Sequence, residues 1–122
     1  MSVTILLVDD DRNTREIYGF MLKRLGHDVI EAADGSAAIQ AAITFSPDAI
    51  LMDIVMPHTN GLDTAAALRS ISRFQHVPIV AITAYPHDTA ERQAMEAGFD
   101  CYLEKPLTMK ILDALTKDFL KP

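Results

Sequence analysis

Five polar residues of this chain stand at the ends of short apolar runs. Asp9 and Asp10 follow the run 3–8, Asp53 follows 49–52, Thr83 follows 78–82 and Lys105 lies just past 100–103. If these ends meet, three carboxylates converge, and their mutual repulsion raises their pKa values unless a cation joins them. A hard divalent ion satisfies such a set: Mg²⁺ takes oxygen ligands, typically one or two carboxylates plus a phosphate oxygen, and Mn²⁺ accepts the same donors. Thr83 offers a hydroxyl donor and Lys105 a point charge, both suited to phosphate oxygens or to a phosphoryl group in transfer. An aspartate can supply the nucleophile by forming an aspartyl-phosphate. Asp53, alone at the end of the central apolar run, is the candidate.

The intervening elements explain why these ends should meet. Residues 3–8 (VTILLV) form a continuous apolar run rich in β-branched residues, the mark of a strand buried on both faces. Asp11 is a plausible N-cap for a helix in which Ile17, Met21, Leu22 and Leu25 recur before Gly26. Residues 28–32 read as a less apolar strand nearer an edge. Asp34-Gly35 leads into an Ala-rich helix with Ile39, Ala42 and Ile43 on one side, broken by Pro47 before the strand 49–52. A loop from Pro57 to Gly61 precedes a helix over 62–73, with Leu62, Ala65, Leu68 and Ile71 inward. The strand 78–82 follows, then a helix opened by Asp88 and closed by Gly98, a short strand over 100–103, and a last helix carrying Ile111, Leu112, Leu115 and Phe119. Five strands alternating with five helices predict an α/β fold, a doubly wound five-stranded parallel sheet with right-handed crossovers. In such sheets the working crevice lies at the carboxyl ends of the strands. All five polar residues fall on that edge.

The 122 residues, 49% hydrophobic with a formal charge of −6, predict a single domain over 1–122. An acidic chain without an evident basic face argues against direct nucleic-acid binding. One cysteine, Cys101, allows no internal disulfide and fits a reducing compartment. The apolar runs are short and Met1-Ser2-Val3-Thr4 carries no basic leader, so no membrane insertion and a cytoplasmic location are expected.

The chain resembles the response-regulator receiver domains of two-component systems over essentially its whole length. The resemblance rests on LLVDDD (residues 6–11), LMDIVMP (residues 51–57) with the following Gly61, AITA (residues 81–84) and AGFDCYLEKPL (residues 97–107). It implies a flavodoxin-like strand order 2-1-3-4-5. It also implies that Asp53 accepts a phosphoryl group from a phosphohistidine of a histidine kinase or histidine phosphotransfer protein. The metal set implied is Asp9, Asp10 and Asp53 with the backbone carbonyl of Val55, Asp10 binding Mg²⁺ directly and Asp9 largely through water. Lys105 would pair with the acyl phosphate, Thr83 would move to hydrogen-bond it, and Tyr102 would follow by changing rotamer. The face of the fourth helix, fifth strand and fifth helix (about 88–121) would then bind a downstream protein target. On this reading the domain is not an enzyme; it is a phospho-acceptor switch that catalyses only its own phosphorylation and dephosphorylation. The Lys105–Pro106 bond is expected to be cis.

The sequence departs from the common pattern at Val55, which offers no side-chain donor two residues after Asp53. It departs also at Tyr85, two after Thr83, and at Thr59, where Met or Leu is usual. These positions bear on phosphate lifetime and partner. Two other readings compete. Asp9-x-Asp11 superficially matches a phosphatase of the haloacid-dehalogenase type, although such enzymes need a longer chain. A receiver without phosphotransfer would have lost an acidic, acceptor or lysine position, and none is lost here. Stand-alone and excised receivers read alike.

Overall fold

A computed structural model describes residues 3–56, 59–84 and 86–118. Five strands, β1 (Thr4–Val8), β2 (Asp28–Ala32), β3 (Ala49–Asp53), β4 (Ile79–Thr83) and β5 (Cys101–Glu104), pair in parallel in the order β2-β1-β3-β4-β5. Helices α1 (Arg12–Arg24), α2 (Gly35–Phe45), α3 (Gly61–Arg69), α4 (Ala90–Ala97) and α5 (Met109–Asp118) connect or follow them. The expected α/β alternation and strand order are both present. β2 is an edge strand, and its Asp28 and Glu31 are exposed.

The period-2 alternation of a strand divides the core into two halves. Leu6, Val8, Ile50, Met52, Ile79 and Ala81 point to one side of the sheet. There they meet Ala38 and Ala42 of α2, Ala65 and Leu68 of α3, and Ala94 of α4. Ile5, Leu7, Ala49, Leu51, Val80 and Ile82 point to the other side, against Tyr18 and Leu22 of α1 and Leu112 and Leu115 of α5. Every residue of β3 and β4 is buried, which is why these runs carry no polar alternation.

Local chemistry sets the helix ends. The Asp11 carboxylate caps α1 by accepting from Asn13 N at 3.2 Å, and Asp34 caps α2 by accepting from Ala37 N at 2.8 Å. Gly98 ends α4 at φ 113°, a conformation that disfavours a Cβ.

Several boundaries and faces differ from expectation. The third helix stops at Arg69, and a 3₁₀ turn (Ser72–Phe74) replaces its last turn, because Arg69 bends back to bond the carbonyls of Phe74 and Val77 at 2.7 Å each. α4 begins at Ala90 after Thr89, with Asp88 in the preceding turn. A two-residue antiparallel ladder, Val55–Met56 with Thr59–Asn60, follows β3 where only a loop was expected. Ile17 and Ile43 are 58% and 49% exposed and do not face the core, and Ile111 is 38% exposed. α1 instead buries Tyr18, Gly19 and Leu22. Pro57, Tyr85 and Phe119, and His58 among the histidines, lie outside the described residues.

Candidate functional site

Strand register and alternation build the site. Val8 pairs with Met52, so the next residues, Asp9 and Asp53, leave adjacent central strands at the same level. Continuing the alternation, Asp9 follows Ile5 and Leu7, Asp53 follows Ala49 and Leu51, and Lys105 follows Cys101 and Leu103. All three therefore stand on the α1/α5 side of the sheet. Lys105 N donates to the main-chain oxygen of Thr83 at 2.8 Å, which carries β5's pairing one residue past its end. The Lys105–Pro106 bond is cis, as expected.

Lys105 Nζ donates to Asp9 Oδ2 at 2.7 Å and to Asp53 Oδ2 at 3.0 Å. The second oxygen of each carboxylate is also engaged: Asp9 Oδ1 accepts from Asp11 N and Asp53 Oδ1 from Val55 N, both at 2.9 Å. Asp9 and Asp53 are buried, whereas Asp10 is exposed at the mouth. One carboxylate oxygen from each of Asp9, Asp10 and Asp53 lies within 4.8 Å of the others. They line a cavity of about 400 Å³ together with Asp11, Thr14, Val55, Ala84 and Lys105. Thr83 is fully buried at the end of β4, behind that lining.

The electrostatics follow from burial and pairing. Desolvation pushes the Asp53 carboxyl above the usual aspartate value, against the pull of the Val55 N–H and Lys105. Burial alone would lower the Lys105 ammonium, but its bonds to Asp9 and Asp53 outweigh this and hold it above the usual lysine value. Asp11 is lowered chiefly by the Thr14 hydroxyl, which donates to it at 2.6 Å. One lysine facing three carboxylates leaves excess negative charge and only hard oxygen donors, the ligand chemistry of Mg²⁺ or Mn²⁺. The residues present fit such an ion.

Tyr102 belongs to the opposite side of the sheet. It pairs across from Ala81 and packs against the core half shared by α2, α3 and α4. Thr83, two residues beyond Ala81, shares that side by alternation. The Tyr102 hydroxyl is buried with no hydrogen-bond partner among the described residues, and burial raises its pKa. Thus Asp9, Asp10, Asp53, Thr83 and Lys105 stand at the expected strand ends, whereas Tyr102 lies within β5; Thr83 and Tyr102 back the pocket and do not line it. Two residues of α1 escaped sequence reading. Arg15 Nη1 donates to the Asp9 carbonyl at 2.8 Å, and the Tyr18 hydroxyl accepts from Leu107 N at 3.0 Å. Their spacing of three, with a polar group at the tip of each long side chain, is the signal that could have found them.

Comparison with known proteins agrees with this geometry. Residues 5–117 match the model of the response regulator receiver domain family. The polar-differentiation response regulator DivK of Brucella ovis is 26% identical over 120 residues, covering 98% of both chains. Response regulator MprA of Mycobacterium ulcerans is 36% identical over 121 residues, 99% of this chain and 51% of that protein. Among solved structures, the receiver domain of sensor histidine kinase PA1611 from Pseudomonas aeruginosa superposes with a TM-score of 0.90 at 31% identity, covering 98% of both chains. That structure holds a magnesium ion coordinated in its active site cleft.

Proposed function

Because the chain belongs to the response-regulator receiver family, we propose that Asp53 accepts a phosphoryl group from a phosphohistidine on a histidine kinase or histidine phosphotransfer protein. An Asp53 carboxylate oxygen forms the new bond to phosphorus. The phosphorus–nitrogen bond breaks, and its electron pair stays on the imidazole, which takes up a proton. The observation that carries this reading is the position of Lys105 Nζ, bridging Asp9 and Asp53 beside Asp10 in an open cavity. Lys105 is placed to follow the phosphoryl oxygens as they arrive, and the Val55 N–H orients the Asp53 carboxylate. Asp9, Asp10 and Asp53, with the Val55 carbonyl, would hold Mg²⁺, which supplies positive charge for the incoming phosphoryl oxygens. The domain thereby catalyses its own phosphorylation and dephosphorylation and turns over no other substrate.

The proposed readout is the face of α4, β5 and α5. A new acceptor on Asp53 offers Thr83 a charge-assisted hydrogen bond. Tyr102 stands on the same side of the sheet as Thr83 and its hydroxyl has no partner among the described residues, so a change of rotamer would let it gain one. Met95, Met109 and Ile111 are exposed on α4 and α5 and give a downstream protein an apolar surface. No helix among the described residues is long and apolar enough to cross a membrane.

The test is incubation with Mg²⁺ and acetyl phosphate, followed by intact-mass measurement and site mapping. A gain of one phosphoryl group is expected, located on Asp53 and absent from Asp53→Asn. A gain that persists in that variant, or that maps to Asp9 as a haloacid-dehalogenase-type phosphatase would require, refutes the assignment.

A further inference from the structure

Lys105 carries its charge on a flexible four-carbon stem, so where Nζ rests depends on how firmly the backbone beneath it is held. That backbone is pinned at two points two residues apart. Lys105 N donates to the Thr83 carbonyl at 2.8 Å, and Leu107 N donates to the Tyr18 hydroxyl at 3.0 Å. Tyr18 is 6% exposed and lies 89 residues from Leu107 in sequence. The other member of the ion pair is tied to the same helix. One turn earlier on α1, Arg15 Nη1 donates to the Asp9 carbonyl at 2.8 Å, while its Nε pairs with Glu31 of β2 at 3.2 Å. Residues three apart share a helix face. A single face of α1 thus grips the strand end that carries Asp9 and the turn that carries Lys105.

We propose that Tyr18 is a positioning residue for phosphoryl transfer: its hydroxyl, by holding Leu107 N–H, sets the reach of Lys105 Nζ over Asp9 and Asp53. The inference rests on Asp53 being the phosphoryl acceptor. The packing against Leu22 and Leu112 needs only the aromatic ring. The hydroxyl serves the turn, and through it the lysine. Phosphoryl transfer gains its rate from placing charge, and a misplacement of about 1 Å can lower a rate by about a hundredfold.

The experiment compares Tyr18→Phe with the parent protein, in the parent background and in Lys105→Met, by the rate of phosphorylation from acetyl phosphate with saturating Mg²⁺. In the parent background Tyr18→Phe lowers the maximal rate constant about tenfold, with half-saturation by the donor little changed. In Lys105→Met the same change alters the rate by less than about twofold, since no lysine remains to be misplaced. Tyr18→Leu, which also removes the hydroxyl and keeps an apolar side chain in the core, gives the same dependence on Lys105 and keeps the test open should Tyr18→Phe fail to fold. Equal losses in both backgrounds mark a role in folding only and overturn the proposal, as does an undiminished rate in Tyr18→Phe. A parent protein that gains no phosphoryl group overturns the receiver reading itself, and the proposal with it.

Discussion

Replacing Lys105 by Met keeps the length of the stem and removes the only cation bonded to the Asp9 and Asp53 carboxylates among the described residues. At about 3 Å each attraction is worth about 1.4 kcal/mol at the dielectric of water and about 5.5 kcal/mol at an effective value of about 20. The Asp9 and Asp53 side chains are only 3% and 8% exposed, so the response lies nearer the second figure. Removing one partner of a buried pair typically costs about 3–5 kcal/mol. We expect about 3 kcal/mol, because Asp53 escapes part of the loss by taking a proton. Its native-state pKa is already raised by burial, and losing Lys105 raises it further. A carboxyl whose folded pKa exceeds its unfolded value binds the proton more tightly when native, so stability is regained as pH falls through the folded value. Urea unfolding in EDTA should therefore show the full loss near about pH 8 and a clearly smaller one near about pH 5. The double variant Lys105→Met/Asp53→Asn should recover most of it. A loss below about 1 kcal/mol near about pH 8, or the same loss at both pH values, would refute the reasoning.

Asp10→Ala removes an exposed carboxylate from the metal set without disturbing the Lys105 pair, so Mg²⁺ affinity by calorimetry should fall at least about tenfold while metal-free stability changes by less than about 0.5 kcal/mol. Gly61→Ala would set a Cβ 2.6 Å from Ile54 Cα and 2.9 Å from the Asp53 oxygen, both backbone atoms that cannot yield. Denaturation should show a loss of about 1–3 kcal/mol, with slower phosphorylation because the segment after Asp53 must shift. Arg69 donates to the carbonyls of Gly98, Phe74 and Val77 and to Asp100 at 2.6–2.9 Å. Arg69→Ala should destabilise by about 2–4 kcal/mol in urea, whereas the Asp53 phosphorylation rate stays unchanged because Arg69 lies outside the pocket.

The strands were legible because burial on both faces leaves an unmistakable mark: runs such as 49–52 hold no polar residue and end at one that has to be solvated or paired. The pocket was legible for the same reason, since the parallel-sheet rule brings strand ends to one edge. Alternation could have carried the reading further. Asp9, Asp53 and Lys105 each stand two past a residue of the α1/α5 core half, whereas Thr83 and Tyr102 belong to the other half. The sequence shows only that all are near one edge; which side of the sheet each takes depends on a register known once the strands are paired.

Helix faces were less legible, and α1 shows why. Ile17, Met21 and Leu25 form one apolar stripe at helical spacing; Tyr18, Leu22 and Leu25 form another, rotated by a single residue. Hydrophobicity alone favours the first, because it prefers isoleucine to tyrosine. The fold takes the second, leaving Ile17 58% and Phe20 64% exposed. The deciding energies are polar. Rotating α1 to bury Ile17 would gain about 1.5–3 kcal/mol of apolar burial. It would also withdraw the Tyr18 hydroxyl from the buried Leu107 N–H and the Arg15 guanidinium from the Asp9 carbonyl, at about 1–3 kcal/mol for each group left unpaired. The two hydrogen bonds together, about 2–6 kcal/mol, match or exceed one isoleucine. The Tyr18 bond joins sites 89 residues apart in sequence, so no local window contains it. The helix is oriented by the turn that carries Lys105 and by the strand end that carries Asp9. The rotation of α1 that looked arbitrary in the sequence is therefore the rotation that the pocket requires.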